Sequence, residues 1–110
     1  MNYKSRRSKL TDIPESVKKK VFERDGGKCI YCGSRNGIPN AHYKPRSQGG
    51  LGIEQNIVTL CPKCHHNYDN GILREKIGNY IREYLKSIYG AMWNESDLLY
   101  NKWQGFKFNK

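Results

Sequence analysis

Residues 61–70, CPKCHHNYDN, place two cysteines, two histidines and an aspartate within ten positions. All three residue types bind transition metals, so this segment predicts metal chemistry. Cys61 and Cys64 form a CxxC pair, and Cys29 and Cys32 form a second one. Two such pairs supply four sulfurs, the ligand set of a tetrahedral structural zinc site. The sequence therefore predicts one zinc ion held by these four cysteines.

His65, His66 and Asp69 are left over once zinc has taken the sulfurs. On a helix, residues four apart share a face, so His65 and Asp69 can point at one ion while His66 is rotated about 100° away. An imidazole and a carboxylate so placed form half of a site for a catalytic divalent ion. Mg²⁺, Mn²⁺ and other divalent ions all suit such a mixed ligand set. The spacing therefore favours two metals over one.

The charge of the chain indicates a polyanionic partner. Its 110 residues carry 20 Lys and Arg against 10 Asp and Glu, a formal net charge of +10. The first 50 residues hold 12 basic and 4 acidic side chains, whereas the remaining 60 hold 8 and 6. Nucleic acid is the leading candidate, and the amino-terminal half should face it. The candidate phosphate contacts are Lys18, Lys19, Lys20, Arg24, Lys44 and Arg46.

No apolar run approaches the about 18 residues of a membrane span, and the basic start MNYKSRRSKL leads into no hydrophobic signal segment. We therefore expect no membrane partner and a cytoplasmic location. Thiols stay reduced in the cytoplasm, which favours metal binding over disulfides.

The local pattern predicts helices that flank two short strands. A helix is expected from about Pro14 to Arg24, with Val17, Val21 and Phe22 on its apolar stripe, before a double glycine turns the chain. Short strands should flank the glycine-rich loop SQGGLG. A helix can begin at His65, and apolar residues at helical spacing predict a longer one after Gly71. The residues expected to form its core face are Leu73, Ile77, Tyr80, Ile81, Tyr84, Leu85 and Ile88. In the segment WNESDLLYNKW a short capped helix is expected, packed back through Trp93, Leu98 and Trp103.

The runs CIYCG, AHYKPRSQGG and NIVTLCPKCHHNYD together resemble the HNH endonuclease family, whose ββα-metal motif lies between two CxxC pairs in many members. His42 is followed by Pro45 and a Gly-Gly pair, Asn56 stands five residues before Cys61, and His65 directly follows Cys64. The resemblance covers about residues 13–70. Beyond residue 70, the segment MWNESDLLYNKW looks similar to the tails of small phage-type members of the family.

The resemblance implies an α+β fold: a small ββα-metal (His-Me finger) domain with a structural zinc site and flanking helices. Its implied organisation is a basic amino-terminal arm, a nuclease core, carboxy-terminal helices packed on that core, and a tail. These parts correspond to residues 1–12, 13–70, 71–104 and 105–110.

The function that the resemblance implies is metal-dependent hydrolysis of double-stranded DNA with low sequence specificity. His42 would be the general base, Asn56 would hold the loop that orients it, and His65 with Asp69 would bind the single catalytic ion. Lys44 and Arg46 would clamp the flanking phosphates. Small phage-type members are associated with the large terminase in genome packaging, so that partner is an expectation by resemblance. Nicking and double-strand cleavage are both compatible with the sequence.

The chain departs from the family at Ala41, because many members carry a metal ligand directly before the general base. Three explanations are open. Solvent and the scissile phosphate complete the shell of an ion held by His65 and Asp69, or Asn40 or His66 takes over, or the nuclease is weak or inactive. We favour the first.

Two other functional classes fit parts of the pattern. A non-enzymatic zinc module that binds nucleic acid would use the cysteines and the basic charge alone. The second class is a redox protein with iron bound by the four cysteines, since both CxxC pairs also resemble those of rubredoxins. Rubredoxins, however, are acidic, whereas this chain is strongly basic.

Overall fold

The computed structural model describes residues 6–100. The helices are α1 (Arg6–Thr11), α2 (Glu15–Arg24), α3 (Pro62–Asp69) and α4 (Arg74–Tyr89), and the strands are β1 (Ile38–His42) and β2 (Ile57–Leu60). Short 3₁₀ turns cover Arg46–Gln48, Gly90–Met92 and Glu95–Leu98. Helices combined with a two-stranded antiparallel sheet make the fold α+β, which confirms the prediction.

Helix α2 begins and ends where the sequence indicated. Pro14 precedes it in an extended conformation, and Gly26 and Gly27 follow it with φ angles of 73° and 71°. Those left-handed conformations favour glycine and turn the chain towards the first cysteine pair. Val21 is fully buried, but Phe22 is 42% exposed. The Phe22 ring lies over Gly27, so the prediction that it joins the apolar stripe is wrong.

The two strands place neighbouring residues of β1 on opposite faces. Ala41 pairs with Val58, and His42 pairs with Ile57. Residues directly opposite each other point to the same side of a sheet, whereas successive residues alternate. Ala41 and Val58 belong to the hydrophobic core cluster. His42 therefore points to the other face of the sheet, at the end of its strand.

The backbone of the loop between the strands packs closely on itself and on the chain that precedes α2. A Cβ atom on Gly50 would lie 1.6 Å from the carbonyl oxygen of Lys44, and one on Gly52 would lie 1.9 Å from that of Asp12. The backbone N–H of Gly52 also donates to the carbonyl of Leu10 at 3.0 Å. Glycine is required at both positions because no side chain fits between the two backbones.

Helices α3 and α4 are separated by Gly71, whose φ is 105°. Helix α3 begins at Pro62, three residues earlier than predicted, because the Sγ of Cys61 accepts a hydrogen bond from the backbone N–H of Cys64 and caps the helix. Helix α4 buries the residues that its spacing predicted, Ile77, Ile81 and Leu85. The same spacing predicted Tyr80 and Ile88 as core, yet they are 44% and 40% exposed.

One hydrophobic cluster joins the sheet, both cysteine pairs, α3 and α4. Its buried members are Cys29, Ala41, Val58, Leu60, Cys61, Cys64, Tyr68, Ile77, Ile81 and Leu85. The indole N–H of Trp93 donates to the carbonyl of Gln55 at 2.9 Å, and Leu98 is 1% exposed. Trp103 and the tail from residue 105 lie outside the described residues. The proposed domain limits stay predictions.

Candidate active site

The four cysteines converge on one point between the start of β1 and the start of α3. Their sulfur atoms all lie within 4.8 Å of one another, and none is in a disulfide. Within each pair the later residue donates its backbone N–H to the earlier sulfur, from Cys32 to Cys29 at 3.5 Å and from Cys64 to Cys61 at 3.4 Å. Such bonds stabilise thiolates. The number, type and spacing of these ligands fit a structural zinc ion.

Burial raises the pKa of the Cys64 thiol well above its ordinary value. The exposed Cys32 behaves oppositely, since its Sγ lies 3.2 Å from the Ser34 hydroxyl and that contact is the main cause that lowers its pKa to about 6. A buried thiol needs a cation to ionise at neutral pH. Metal uptake by the cluster would therefore release protons in the same step.

His42 is held in one tautomer by a backbone carbonyl. Its Nε2 lies 2.9 Å from the carbonyl oxygen of Thr11, at the end of α1. A carbonyl only accepts, so Nε2 carries the proton and Nδ1 keeps its lone pair. The pKa of His42 lies below its ordinary value, chiefly because burial disfavours the imidazolium. His42 is thus a neutral base at physiological pH.

Asn56 holds the loop that follows His42. It is fully buried, its side-chain oxygen accepts from the backbone N–H of Lys44 at 2.8 Å, and its amide donates to the carbonyls of Lys44 and Leu51 at 3.2 and 2.8 Å. The backbone N–H of Tyr43 donates to the Asn56 carbonyl at 2.8 Å. These bonds tie both ends of the loop to the start of β2.

His65 and Asp69 lie on one face of α3, with Nε2 and Oδ2 3.2 Å apart. Together with His42 they line a cleft of about 740 Å³, which we call the catalytic cleft. Their side chains are 27% and 57% exposed, so both are open to an ion. A nitrogen and an oxygen this close fit two adjacent positions in the shell of a divalent ion. Among residues 6–100, the four cysteines are the only group of three or more His, Cys, Asp or Glu side chains close enough together to hold one metal ion.

Ala41 occupies the position where many family members carry a metal ligand, and the two residues considered as its replacement, Asn40 and His66, lie in different places. Ala41 is fully buried in the core cluster and lines no part of the catalytic cleft. His66 is exposed on another face of α3, with its Nδ1 3.0 Å from the side-chain nitrogen of Asn70. Asn40 does line the cleft. Geometry therefore removes His66 from the choice and leaves Asn40, solvent or substrate.

The predicted phosphate contacts separate into two groups. Lys18 and Arg46 line the catalytic cleft, where Arg46 pairs with Asp12. Of the other predicted contacts, Lys19, Lys20 and Lys44 lie outside it. Among them, Lys44 pairs with Glu95 at 2.8 Å, Lys20 lies 3.9 Å from Glu54, and Lys19 is exposed on α2.

Arg24 holds the fold together instead of facing solvent. Its side chain is 14% exposed and pairs with the fully buried carboxylate of Asp25 at 2.7 Å. It also donates to the carbonyls of Glu54 and Ile57, both at 2.7 Å, and to the Tyr89 hydroxyl at 3.0 Å. With its donors used internally, Arg24 has none left for a phosphate, which corrects the prediction that it contacts DNA.

Sequence reasoning missed three groups at the cleft. Asp12 and Arg74 line it, and the carbonyl of Thr11 holds the base. A backbone carbonyl carries no signal in a sequence. Arg74 lies beyond the Gly71 turn, outside the spaced motif, so only the folded path of the chain brings it to the cleft.

Within residues 6–100, no helix combines the length and apolarity needed to cross a bilayer.

Two sequence comparisons show which known proteins this chain resembles. Residues 29–71, which contain the four cysteines, both strands and α3, match the family model of the HNH endonuclease. The chain is also similar to Anaredoxin of Nostoc sp. (strain PCC 7120 / SAG 25.82 / UTEX 2576), with 36% identity over 65 residues. The match covers 58% of this chain and 86% of that protein. The chain belongs to the HNH endonuclease family, which supports a nuclease-type, metal-binding function.

Proposed function

We propose that this protein is a metal-dependent DNA endonuclease that hydrolyses phosphodiester bonds with His42 as the general base. One observation carries the proposal. A neutral histidine with its Nδ1 lone pair free lies in the same cleft as a His–Asp pair suited to a divalent ion. Hydrolysis needs both a proton acceptor and a counter-charge for the phosphate, and the catalytic cleft offers the two together.

The proton moves from the attacking water to Nδ1 of His42. A positioned general base contributes about 10² to 10⁴ in rate. The Thr11 carbonyl stabilises the imidazolium that forms, because it accepts a hydrogen bond from the Nε2–H group before and after the proton transfer. Asn56 keeps the loop after His42 in place, so its role is positioning.

His65 and Asp69 would hold the ion. A bound divalent ion would stabilise the charge on the phosphate and on the departing 3′ oxygen. Water attack then breaks the P–O3′ bond, and the 3′ oxygen takes a proton from solvent, which leaves 5′-phosphate and 3′-hydroxyl ends. Nitrogen and oxygen ligands suit Mg²⁺, Mn²⁺ and several others, so the ligand set admits more than one metal. Two protein ligands leave most of the shell to water and the substrate phosphate.

Double-stranded DNA is the proposed substrate. Lys18 and Arg46 line the catalytic cleft, which supports them as the contacts to the phosphates beside the cut. Lys19, Lys20 and Lys44 lie outside the cleft and are proposed as outer contacts. Phosphate contacts of this kind fix position without reading bases, which supports low sequence specificity.

A plasmid cleavage assay across divalent ions tests the proposal. The parent, His42→Ala and the matched control His66→Ala should be compared, because His66 is an exposed histidine outside the cleft. We expect the parent and the control to cut and His42→Ala to lose at least about a hundredfold in rate. Open-circular and linear products distinguish nicking from double-strand cleavage.

The same assay addresses the two alternatives. A non-enzymatic zinc module would bind DNA equally well with or without His42. It would not cleave DNA in the presence of any divalent ion. Iron in place of zinc, found by elemental analysis and visible absorbance of purified protein, would favour the redox alternative.

A terminase partner, a role in phage genome packaging and a cytoplasmic location rest on resemblance and composition, and they stay proposals. Co-purification of the chain with a large terminase tests the first directly.

A further inference from the structure

Arg74 is the cation of the catalytic cleft without a carboxylate partner among residues 6–100. Of the other cations that line the cleft, Arg46 pairs with Asp12, and Lys18 lies 3.7 Å from Glu15. Arg74 is exposed, and its side chain makes no ion pair or hydrogen bond with a described residue. Its guanidinium group therefore keeps its full set of donors for a ligand.

The position of Arg74 joins the catalytic cleft to a second depression. Arg74, Tyr68 and Pro45 line both, and the second depression, of about 220 Å³, is also lined by Lys44. Arg46 joins the cleft to a different depression of about 440 Å³, which Arg7 also lines. An arginine thus lies where each of two depressions adjoins the cleft that holds His42 and the His–Asp pair, and we call these depressions its two exits. A nucleic acid strand running from one exit to the other past that pair would meet both arginines.

Folding does not account for an arginine at this place. Arg74 is the first residue of α4, where the partial positive charge of a helix end disfavours a cation. Its neighbour Glu75 supplies the favourable charge in that turn. A guanidinium, in contrast, matches a phosphate with two parallel hydrogen bonds.

We propose that Arg74 binds the phosphate adjacent to the scissile one, on the Lys44 side of the catalytic cleft, while Arg46 serves the other exit. The location relative to the cut rests on the proposed nuclease function; the contact with a nucleic acid phosphate does not. A flanking phosphate changes little during hydrolysis, so Arg74 contributes to binding of substrate and transition state alike.

The test compares Arg74→Ala and Arg74→Lys with the control Lys76→Ala. Lys76 is exposed on α4 and lines neither depression, and its replacement removes the same charge. Affinity for a short DNA duplex should be measured by fluorescence anisotropy over a salt series with no divalent ion added. Steady-state cleavage should then be measured at a saturating ion concentration. Thermal unfolding of each variant shows whether its fold is intact.

We expect Arg74→Ala to bind about tenfold more weakly than the control and to unfold at or slightly above the parent temperature. Its log-log salt slope should be shallower by about 0.9, the contribution of one phosphate. In cleavage, KM should rise while kcat is kept. Arg74→Lys should keep the slope and lose part of the affinity, because it retains the charge but not the paired donors.

Equal affinity and slope for Arg74→Ala and Lys76→Ala would overturn the proposal. A fall in kcat with KM unchanged would also overturn it, because the contact would then form only in the transition state. A parent that binds DNA without cutting would end the nuclease proposal instead, and the binding series alone would then decide whether Arg74 holds a phosphate.

Discussion

The imidazole of His42 and the backbone carbonyl of Thr11 are 31 positions apart in sequence and 2.9 Å apart in space. Helix α1 ends at Thr11, and the chain then crosses Gly52 at backbone contact before α2 begins. The basic segment ahead of the nuclease core thus supplies part of the proposed active site. It fixes which nitrogen of the base is free.

The pH profile of cleavage should show this arrangement. The base works when neutral, and burial lowers the pKa of His42 below its ordinary value of 6.5. With a saturating divalent ion, the rate should stay constant as the pH is lowered from neutral past 6.5. At still lower pH it should fall about tenfold per pH unit as His42 becomes protonated. A profile whose acid limb begins above 6.5 would argue against His42 as the titrating base.

Gly52→Ala should impair cleavage without direct contact to either metal site. A Cβ there would overlap the carbonyl oxygen of Asp12, so the backbone carrying the Thr11 carbonyl must shift. We expect kcat to fall by about tenfold or more with zinc content unchanged, as measured by single-turnover cleavage and elemental analysis. Unchanged kcat in folded Gly52→Ala protein would show that the carbonyl contact is dispensable.

Asp69→Ala should raise the divalent-ion concentration needed for half-maximal cleavage, because it removes one of the two proposed protein ligands. Asp69→His should retain activity by supplying an imidazole in its place, with a preference for softer ions. Calorimetric titration of the ion should also show tighter binding when DNA is present, since its phosphate completes the shell. If Asp69→Ala cuts normally at limiting ion and Asn40→Ala does not, the ligand assignment passes to Asn40.

Purified protein should contain one zinc ion per chain, and its removal should unfold the domain. Cys61 and Cys64 are both buried, and the Sγ of Cys61 caps α3 from within the four-cysteine cluster by accepting from the backbone N–H of Cys64. Cys61→Ser should therefore lose metal and most helical signal by circular dichroism. A folded, metal-free parent would contradict the zinc assignment, whereas one iron per chain would redirect it.

Arg24→Ala should destabilise the fold by about 3 kcal/mol or more, because it leaves the buried Asp25 carboxylate without its charge partner. Arg24→Lys should recover little, since one ammonium group cannot reach the same set of acceptors. Lys20→Ala is the matched control, with an exposed pair worth at most about 0.5 kcal/mol. Denaturant unfolding gives all three values. Equal stability of Arg24→Ala and Lys20→Ala would return Arg24 to the list of DNA contacts.

The sequence predicted the relative positions of those candidate site residues that lie close together in the chain. The CxxC pairs, and the four-residue step from His65 to Asp69, are set by single turns of chain, so their geometry follows from residue order. The α+β class and the burial of Ile77 followed from patterns of the same kind.

Contacts between distant segments were not predictable in the same way. Arg24 looks like a surface cation on an amphipathic helix, and its partners Glu54 and Tyr89 come from elsewhere in the chain. Phe22 matched the apolar stripe of α2 but packs over Gly27, because the chain turns back at that point. Position and charge alone do not reveal such pairings.

Cys64 and His65 are consecutive residues of α3, so one residue of the zinc cluster is covalently next to one residue of the proposed catalytic ion site. The two proposed metals would consequently load in a fixed order. Zinc would order the first turn of α3 through the Cys61 cap, and only then would the His–Asp pair be in place to receive a second ion. A newly synthesised chain would stay harmless to DNA until it had acquired zinc, however much magnesium or manganese surrounds it. Zinc supply would thereby act as a maturation checkpoint for the nuclease.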